Sequence, residues 1–217
     1  MADLEIKNEK QFQNSRKSAM RAINKALMEW NEYQSTLDET EKQPEEEEME
    51  EYDKRWAPPT GQRIKINTDA ALQDHCGQAG WGIVARNKEG KLVQSWALPQ
   101  TNCTEPKLEE ALAIRKALQV ARQEGWQEIE VQSDCQKIIK KLQQEVTEDS
   151  TCATVLEDIG RLKKHFKSST FSFIRRAGNV VGHGKICIKL LLDVIWKGDF
   201  LPWLVNAARD DLTEQLL

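Results

Sequence analysis

The sequence predicts an α/β fold in which a mixed, five-stranded sheet is flanked by helices, and three observations predict it. Residues 64–69 alternate Ile64, Ile66 and Thr68 with Lys65, Asn67 and Asp69, the period-two pattern of a strand with unlike faces. Residues 128–134 repeat the design, with Ile129 and Val131 between polar neighbours and Asp134 at the end. Between these strands Ala111, Ile114, Leu118 and Ala121 recur at three- and four-residue steps, joined by Ala117, which is the stripe of an amphipathic helix.

Taken in order, the chain opens with a leader. Ala19, Ile23, Leu27, Trp30 and Leu37 fall on one helical face, so residues 10–37 are expected to form an N-terminal amphipathic helix within a leader at 1–37. Such a face needs a cover, supplied by its own domain, by a lost neighbouring domain or by another protein. Residues 38–57 carry Pro44, the run Glu45 to Glu48, and then Glu50 and Glu51; they read as a solvated acidic linker. The domain proper is expected at 58–217. Its strands are predicted at 63–69, 80–87, 91–98, 127–133 and 169–175, and its helices at 106–124, 134–145, 151–166, 179–196 and 202–215. Lys88 to Lys91 form a short hairpin turn with Gly90 where a positive φ is expected. The first three strands therefore make an antiparallel meander, whereas the later ones alternate with helices, and the sheet must be mixed.

Composition narrows the class. The net charge of −4 hides an asymmetry: residues 1–57 hold 15 acidic and 9 basic side chains, and the rest of the chain holds 20 and 22. The domain is no polycation, so affinity for nucleic acid has to come from local patches. Cys76, Cys103, Cys135, Cys152 and Cys187 are scattered and odd in number, which indicates free thiols in a reducing compartment and excludes a disulfide scaffold or a Cys-rich zinc site. The longest apolar stretch, Ile186 to Trp196, is broken by Lys189 and Asp193 and is too short to span a bilayer. With a charged, polar start to the chain, the expectation is an intracellular protein, nuclear or cytoplasmic, with no membrane segment.

Two parallel strands that each stop at an aspartate deliver Asp69 and Asp134 to one sheet edge, where open α/β sheets place their sites. The intervening helix offers Glu109 and Glu110 in its first turn. Glu110 lies one turn before Ile114 and Ala117 on the inner side, and Glu109 is rotated about 100° from it. Both aspartates also have simpler readings, Asp69 as a turn residue and Asp134 as a helix N-cap. Crowded carboxylates repel, and hard oxygen donors favour magnesium or manganese as the relief. Basic side chains follow the second aspartate: Lys137, Lys140 and Lys141, then Arg161, Lys163, Lys164 and Lys167, then Arg175 and Arg176. Lysines on helices are commonly solvated faces, but two basic helices beside a carboxylate edge could also track a phosphate backbone.

The order of strand-Asp, Gly-rich hairpin, helix-Glu and strand-Asp resembles ribonuclease H, specifically the ribonuclease H-like domains of plant non-LTR retrotransposons. The segments that carry the resemblance are Trp56 to Gly61, Lys65 to Ala71, Gly80 to Asn87, Glu110 to Arg115 and Val131 to Cys135. What the resemblance implies is metal-dependent hydrolysis of the RNA strand of RNA/DNA hybrids. Asp69 would be the shared ligand of two Mg2+ (or Mn2+) ions, Glu110 and Asp134 would hold one each, and His183 would stand where the family's fourth carboxylate belongs. Imidazole adds no negative charge and suits magnesium poorly. A catalytically weak or inactive nucleic-acid-binding remnant is the alternative, and a protein-interaction role for the leader helix is a second one.

Overall fold

A computed structural model describes residues 56–73, 77–103, 105–144, 151–182, 194–200 and 202–213. All lie in the unit Glu48–Leu217. The leader helix expected at 10–37 and nearly all of the acidic linker fall outside the described residues.

The strands are β1 (Ile64–Gln73), β2 (Gln78–Arg86), β3 (Leu92–Thr101), β4 (Glu128–Ser133), β5 (Ser168–Phe173) and β6 (Val194–Trp196). The helices are α1 (Pro106–Gln123), α2 (Gln136–Gln144), α3 (Ala153–Lys163) and α4 (Pro202–Thr213), with a 3₁₀ segment at Arg176–Gly182. They build one sheet in the order β5-β4-β1-β2-β3-β6. The β1-β2-β3 meander is antiparallel, and β1, β4 and β5 run parallel, so the sheet is mixed as expected.

The sheet has a sixth strand where five are predicted, and part of the predicted helix at 179–196 is replaced by it. Residues 179–182 belong to the 3₁₀ segment, 183–193 lie outside the described residues, and Val194–Trp196 pairs antiparallel with Ser95–Ala97 of β3. Three residues carry no readable period. Their strand state comes from the unpaired backbone groups of β3, which a β-branched and aromatic segment satisfies.

One core lies between the sheet and the helices. Ala111, Ile114, Ala117, Leu118 and Ala121 of α1 are all fully buried, and they pack on Ile66, Ile83, Ile129 and Val131 of the sheet. Ile138, Ile139 and Leu142 of α2 and Val155, Leu156 and Ile159 of α3 extend it. Gly125, at φ 74°, follows the last turn of α1, where the left-handed conformation costs glycine no Cβ clash.

The opposite face of β1 is also buried, though it carries Lys65, Asn67 and Asp69. A polar network accounts for this. Trp56 Nε1–H donates to Asn67 Oδ1 at 2.9 Å, and Arg86 Nη2–H donates to the same oxygen at 3.0 Å. The Asn67 amide donates to Asn179 Oδ1 at 3.0 Å and to Gln132 Oε1 at 3.4 Å, while Asn179 Nδ2–H donates to the carbonyl of Thr68 at 2.9 Å. Arg86, with no exposed surface, sits 3.3 Å from the centroid of the Trp56 ring and reaches Asp211 of α4 at 2.6 Å. Burial lowers its pKa to about 10, opposed by Asp211, so it stays charged at neutral pH. The network ties the 3₁₀ segment and α4 to the strand that carries Asp69. Gly182 permits this, since a Cβ there would stand 3.0 Å from Asn179 Oδ1.

Candidate functional site

Asp69 lies inside β1, which does not stop at 69 as predicted but runs on to Gln73 because Ala70–Gln73 still pair with β2, and Asp134 follows the last residue of β4. Because Thr68 and Ser133 are register partners in the parallel β1–β4 pair, both carboxylates emerge at the same level. Glu110 comes from the first turns of α1, held over this end by the buried alanines of its stripe. Each of the three offers a carboxylate oxygen, and these oxygens all lie within 4.8 Å of one another. Among the described residues this is the group of His, Cys, Asp and Glu side chains able to hold a metal ion.

Glu110 is fixed by two bonds. The backbone N–H of Ala70 donates to its Oε1 at 3.1 Å, and the Ser133 hydroxyl donates to its Oε2 at 3.3 Å. Ser133 Oγ also accepts the Cys135 N–H at 3.0 Å, so one small side chain links Glu110 to the turn that presents Asp134. Glu109 points elsewhere and accepts Trp81 Nε1–H at 2.8 Å. Arg176 Nε–H donates to Asp134 Oδ2 at 3.1 Å, across a pair of which the aspartate is nearly buried and the arginine largely exposed.

The electrostatics follow from this crowding. Burial, then the charges of Asp69 and Asp134, hold the Glu110 carboxyl well above its usual 4.5, and the bonds from Ala70 and Ser133 oppose the shift only in part. Burial and Asp69 also raise Asp134, against the pull of Arg176. The donor set fits a hard divalent cation: three clustered carboxylates whose mutual repulsion a positive charge would relieve. The neighbouring Cys135 thiol is itself pushed up by burial and stays protonated, so it offers no competing thiolate.

A stability prediction comes from the sign of these shifts. With Glu110 raised above 4.5, the folded state binds more protons than the unfolded state as pH rises past that value. This contribution to stability therefore falls with rising pH in the metal-free protein. Magnesium should reverse the trend by favouring the ionised cluster. Thermal unfolding in chelator is expected to show Tm falling from about pH 4.5 toward neutrality, with magnesium raising Tm more at pH 7 than at pH 5. An equal magnesium effect at both values counts against a cation in this cluster.

Of the other predicted site residues, Lys137 and Lys140 are exposed on α2, and Lys141 is half-buried in a cleft toward α3. Arg175 is exposed, and Arg176 is engaged by Asp134. His183 lies outside the described residues. The contributions of Ser133 and the Ala70 amide have no sequence signal of their own, because both depend on β1, β4 and α1 meeting. No helix among the described residues is long and apolar enough to cross a membrane.

A mixed sheet in this order, helices against it, and a three-carboxylate cluster where β1, β4 and α1 meet define a ribonuclease H-like domain. The chain belongs to the reverse transcriptase-like family, whose model matches residues 67–184. Among solved structures it is similar to ribonuclease H1 from the halophilic archaeon Halobacterium salinarum, with 22% identity over 69% of this chain and 98% of that one and a TM-score of 0.52. It is also similar to the N-terminal ribonuclease H domain of a Mycobacterium tuberculosis protein, with 15% identity over 72% and 100% of the two chains and a TM-score of 0.52. A third likeness is to LC11-RNase H1, recovered from compost and crystallised with an RNA/DNA hybrid, with 22% identity over 55% and 91% and a TM-score of 0.51. At these identities the likeness carries the fold. No curated protein matches the chain in sequence.

Proposed function

We propose that this chain hydrolyses the RNA strand of RNA/DNA hybrids in a reaction that depends on Mg2+ or Mn2+, with Asp69, Glu110 and Asp134 as the metal-holding group. The observation that carries this reading is the convergence of the three carboxylates within 4.8 Å. When bound there, divalent cations supply Lewis-acid activation of the attacking water and stabilisation of the departing oxygen. The protein's own part is positional. Ala70 and Ser133 orient both oxygens of Glu110, Arg176 restrains one oxygen of Asp134, and the Asn67–Asn179 link holds the 3₁₀ segment against β1. Lys137, Lys140, Lys141, Arg175 and Arg176 belong to the proposal as phosphate contacts, with Arg176 exchanging its carboxylate partner for a phosphate.

The narrower origin, a plant non-LTR retrotransposon domain, rests on the motif segments from Trp56 to Cys135, and the intracellular location, nuclear or cytoplasmic, on the scattered cysteines and the charged, polar start. The division into a helical leader at 1–37, an acidic linker at 38–57 and a catalytic domain from 58 onward belongs to the same proposal. So does contact of the leader with another protein or a lost neighbouring domain.

A labelled hybrid incubated with magnesium, manganese or chelator tests the reading; cleavage confined to the RNA strand and abolished by chelator is expected. Binding without cleavage would favour an inactive remnant, a reading supported by His183 in place of a fourth carboxylate. His183→Asp adds the missing charge and is expected to raise magnesium-supported turnover, while the parent favours manganese, which accepts imidazole more readily. Unchanged rate and metal preference would remove residue 183 from the site.

A further inference from the structure

The basic helices do not all line the carboxylate edge. A cleft of about 640 Å³ opens where α2, α3 and the start of β5 meet. Among the described residues that line it are Lys141, Arg161, Lys163, Lys164 and Lys167, together with the acidic Glu157. Its floor is Leu142, Leu156 and Phe166, and the hydroxyl-bearing Ser168 and Ser169 line its β5 side.

Register gives its distance from the carboxylates. Ser168 pairs with Glu128 at the start of β4, whereas Asp134 follows the other end of that strand. Five to six residues of strand separate the two levels, or about 17–20 Å at ~3.3 Å per residue. The cleft is thus a separate feature at the opposite end of the parallel strands.

Its chemistry selects anions. Arg161 is tied to Glu157 and Asp158, and Lys167 to Glu128, but these pairs are largely exposed and exchange readily for a phosphate. Lys164 is exposed and has no carboxylate partner among the described residues. Lysines on flexible stems over an apolar floor suit successive phosphates of a strand, with no reading of base sequence. We infer that this cleft is a second phosphate-binding site, which takes the sugar-phosphate backbone of the same nucleic acid at a distance from the carboxylate edge. The inference deepens the proposed function and rests on it for the identity of the ligand. At ~3.4 Å per step, about 17–20 Å corresponds to five or six nucleotides, so only a substrate longer than this reaches both sites.

The test is binding of the full chain in chelator to labelled hybrids of about 6 and about 16 base pairs, across a salt series. The parent is expected to bind the longer hybrid at least tenfold more tightly at low salt. In the Lys164→Ala, Lys167→Ala double variant that advantage should shrink to a few-fold, with the salt slope for the long hybrid falling by roughly one to two units. A parent without length preference, or a variant that keeps it with an unchanged slope, overturns the inference. So does inorganic polyphosphate that binds the cleft, as read by loss under the same substitutions, without competing against the long hybrid. Because binding is read without turnover, an inactive protein that still shows the length effect would defeat the proposed hydrolysis and leave this site standing.

Discussion

Asp69→Asn is expected to lower metal-dependent cleavage of an RNA/DNA hybrid by at least a hundredfold, about 2.7 kcal/mol of barrier, while leaving the fold intact. The reason is geometric as well as electrostatic. Asp69 is buried, its carboxylate lies within 4.8 Å of ligand oxygens from both Glu110 and Asp134, and its charge is a cause of the raised pKa of each. An amide keeps the shape but removes the charge that a divalent cation needs. The same change relieves like-charge crowding in the absence of metal, so the variant should melt no lower than the parent in chelator and should lose the magnesium-dependent rise in Tm. Rate and melting together separate a damaged site from a damaged fold. Activity within a few-fold of the parent sinks the assignment of Asp69.

The largest expected loss of stability is at Arg86. Arg86→Ala should cost about 3–5 kcal/mol, because it removes a fully buried, charged side chain whose ion pair, hydrogen bond and ring contact are lost together. Asp211 loses the ion pair with Arg86, Asn67 Oδ1 loses one of its two donors, and the Trp56 ring loses the guanidinium stacked on it. Urea unfolding, with the midpoint read at unchanged slope, measures it. Asp211→Asn should cost less, since an amide oxygen can still accept from Arg86 Nη1. A cost under about 1 kcal/mol for Arg86→Ala would show that α4 is not held through this pair.

Much of the fold was legible in the chain because periodicity is a local property. The alternation at 64–69, the stripe from Ala111 to Ala121 and the hairpin turn at Gly90 each state their structure within a few residues. Helical rotation alone separated Glu109 from Glu110, and the two carboxylates do take different partners, Trp81 for one and Ala70 with Ser133 for the other; but both are buried, so Glu109 is not off the inner side. The convergence of Asp69, Glu110 and Asp134 was readable too, once two alternating strands that each carry an aspartate and a crossover helix were taken together, although β1 runs on past Asp69 to Gln73. Their catalytic role stays a proposal.

What the sequence could not convey is where polar side chains find partners far along the chain. Lys65 and Asn67 alternate with isoleucines, yet both are buried: Trp56, Arg86, Asn179 and Gln132 bond Asn67, while Lys65 pairs with Glu130 at 3.1 Å and donates to the Ala57 carbonyl, in place of bonds that water would otherwise make. Arg86 and Asp211 lie 125 residues apart, and nothing in either neighbourhood marks the pair. Likewise, Ser133 reaches Glu110 only after β4 has docked beside β1, Arg176 meets Asp134 only after the 3₁₀ segment folds back, and β6 exists because β3 leaves an edge to pair. By itself, then, the sequence determined the element types up to about residue 175, the apolar core face and the candidate carboxylates, all through local spacing, whereas the 3₁₀ segment and β6 escaped it. Tertiary structure alone decided which polar groups are buried, how the carboxylates are held and which cations stand away from them, since burial and hydrogen bonding depend on groups that only the closed fold brings together.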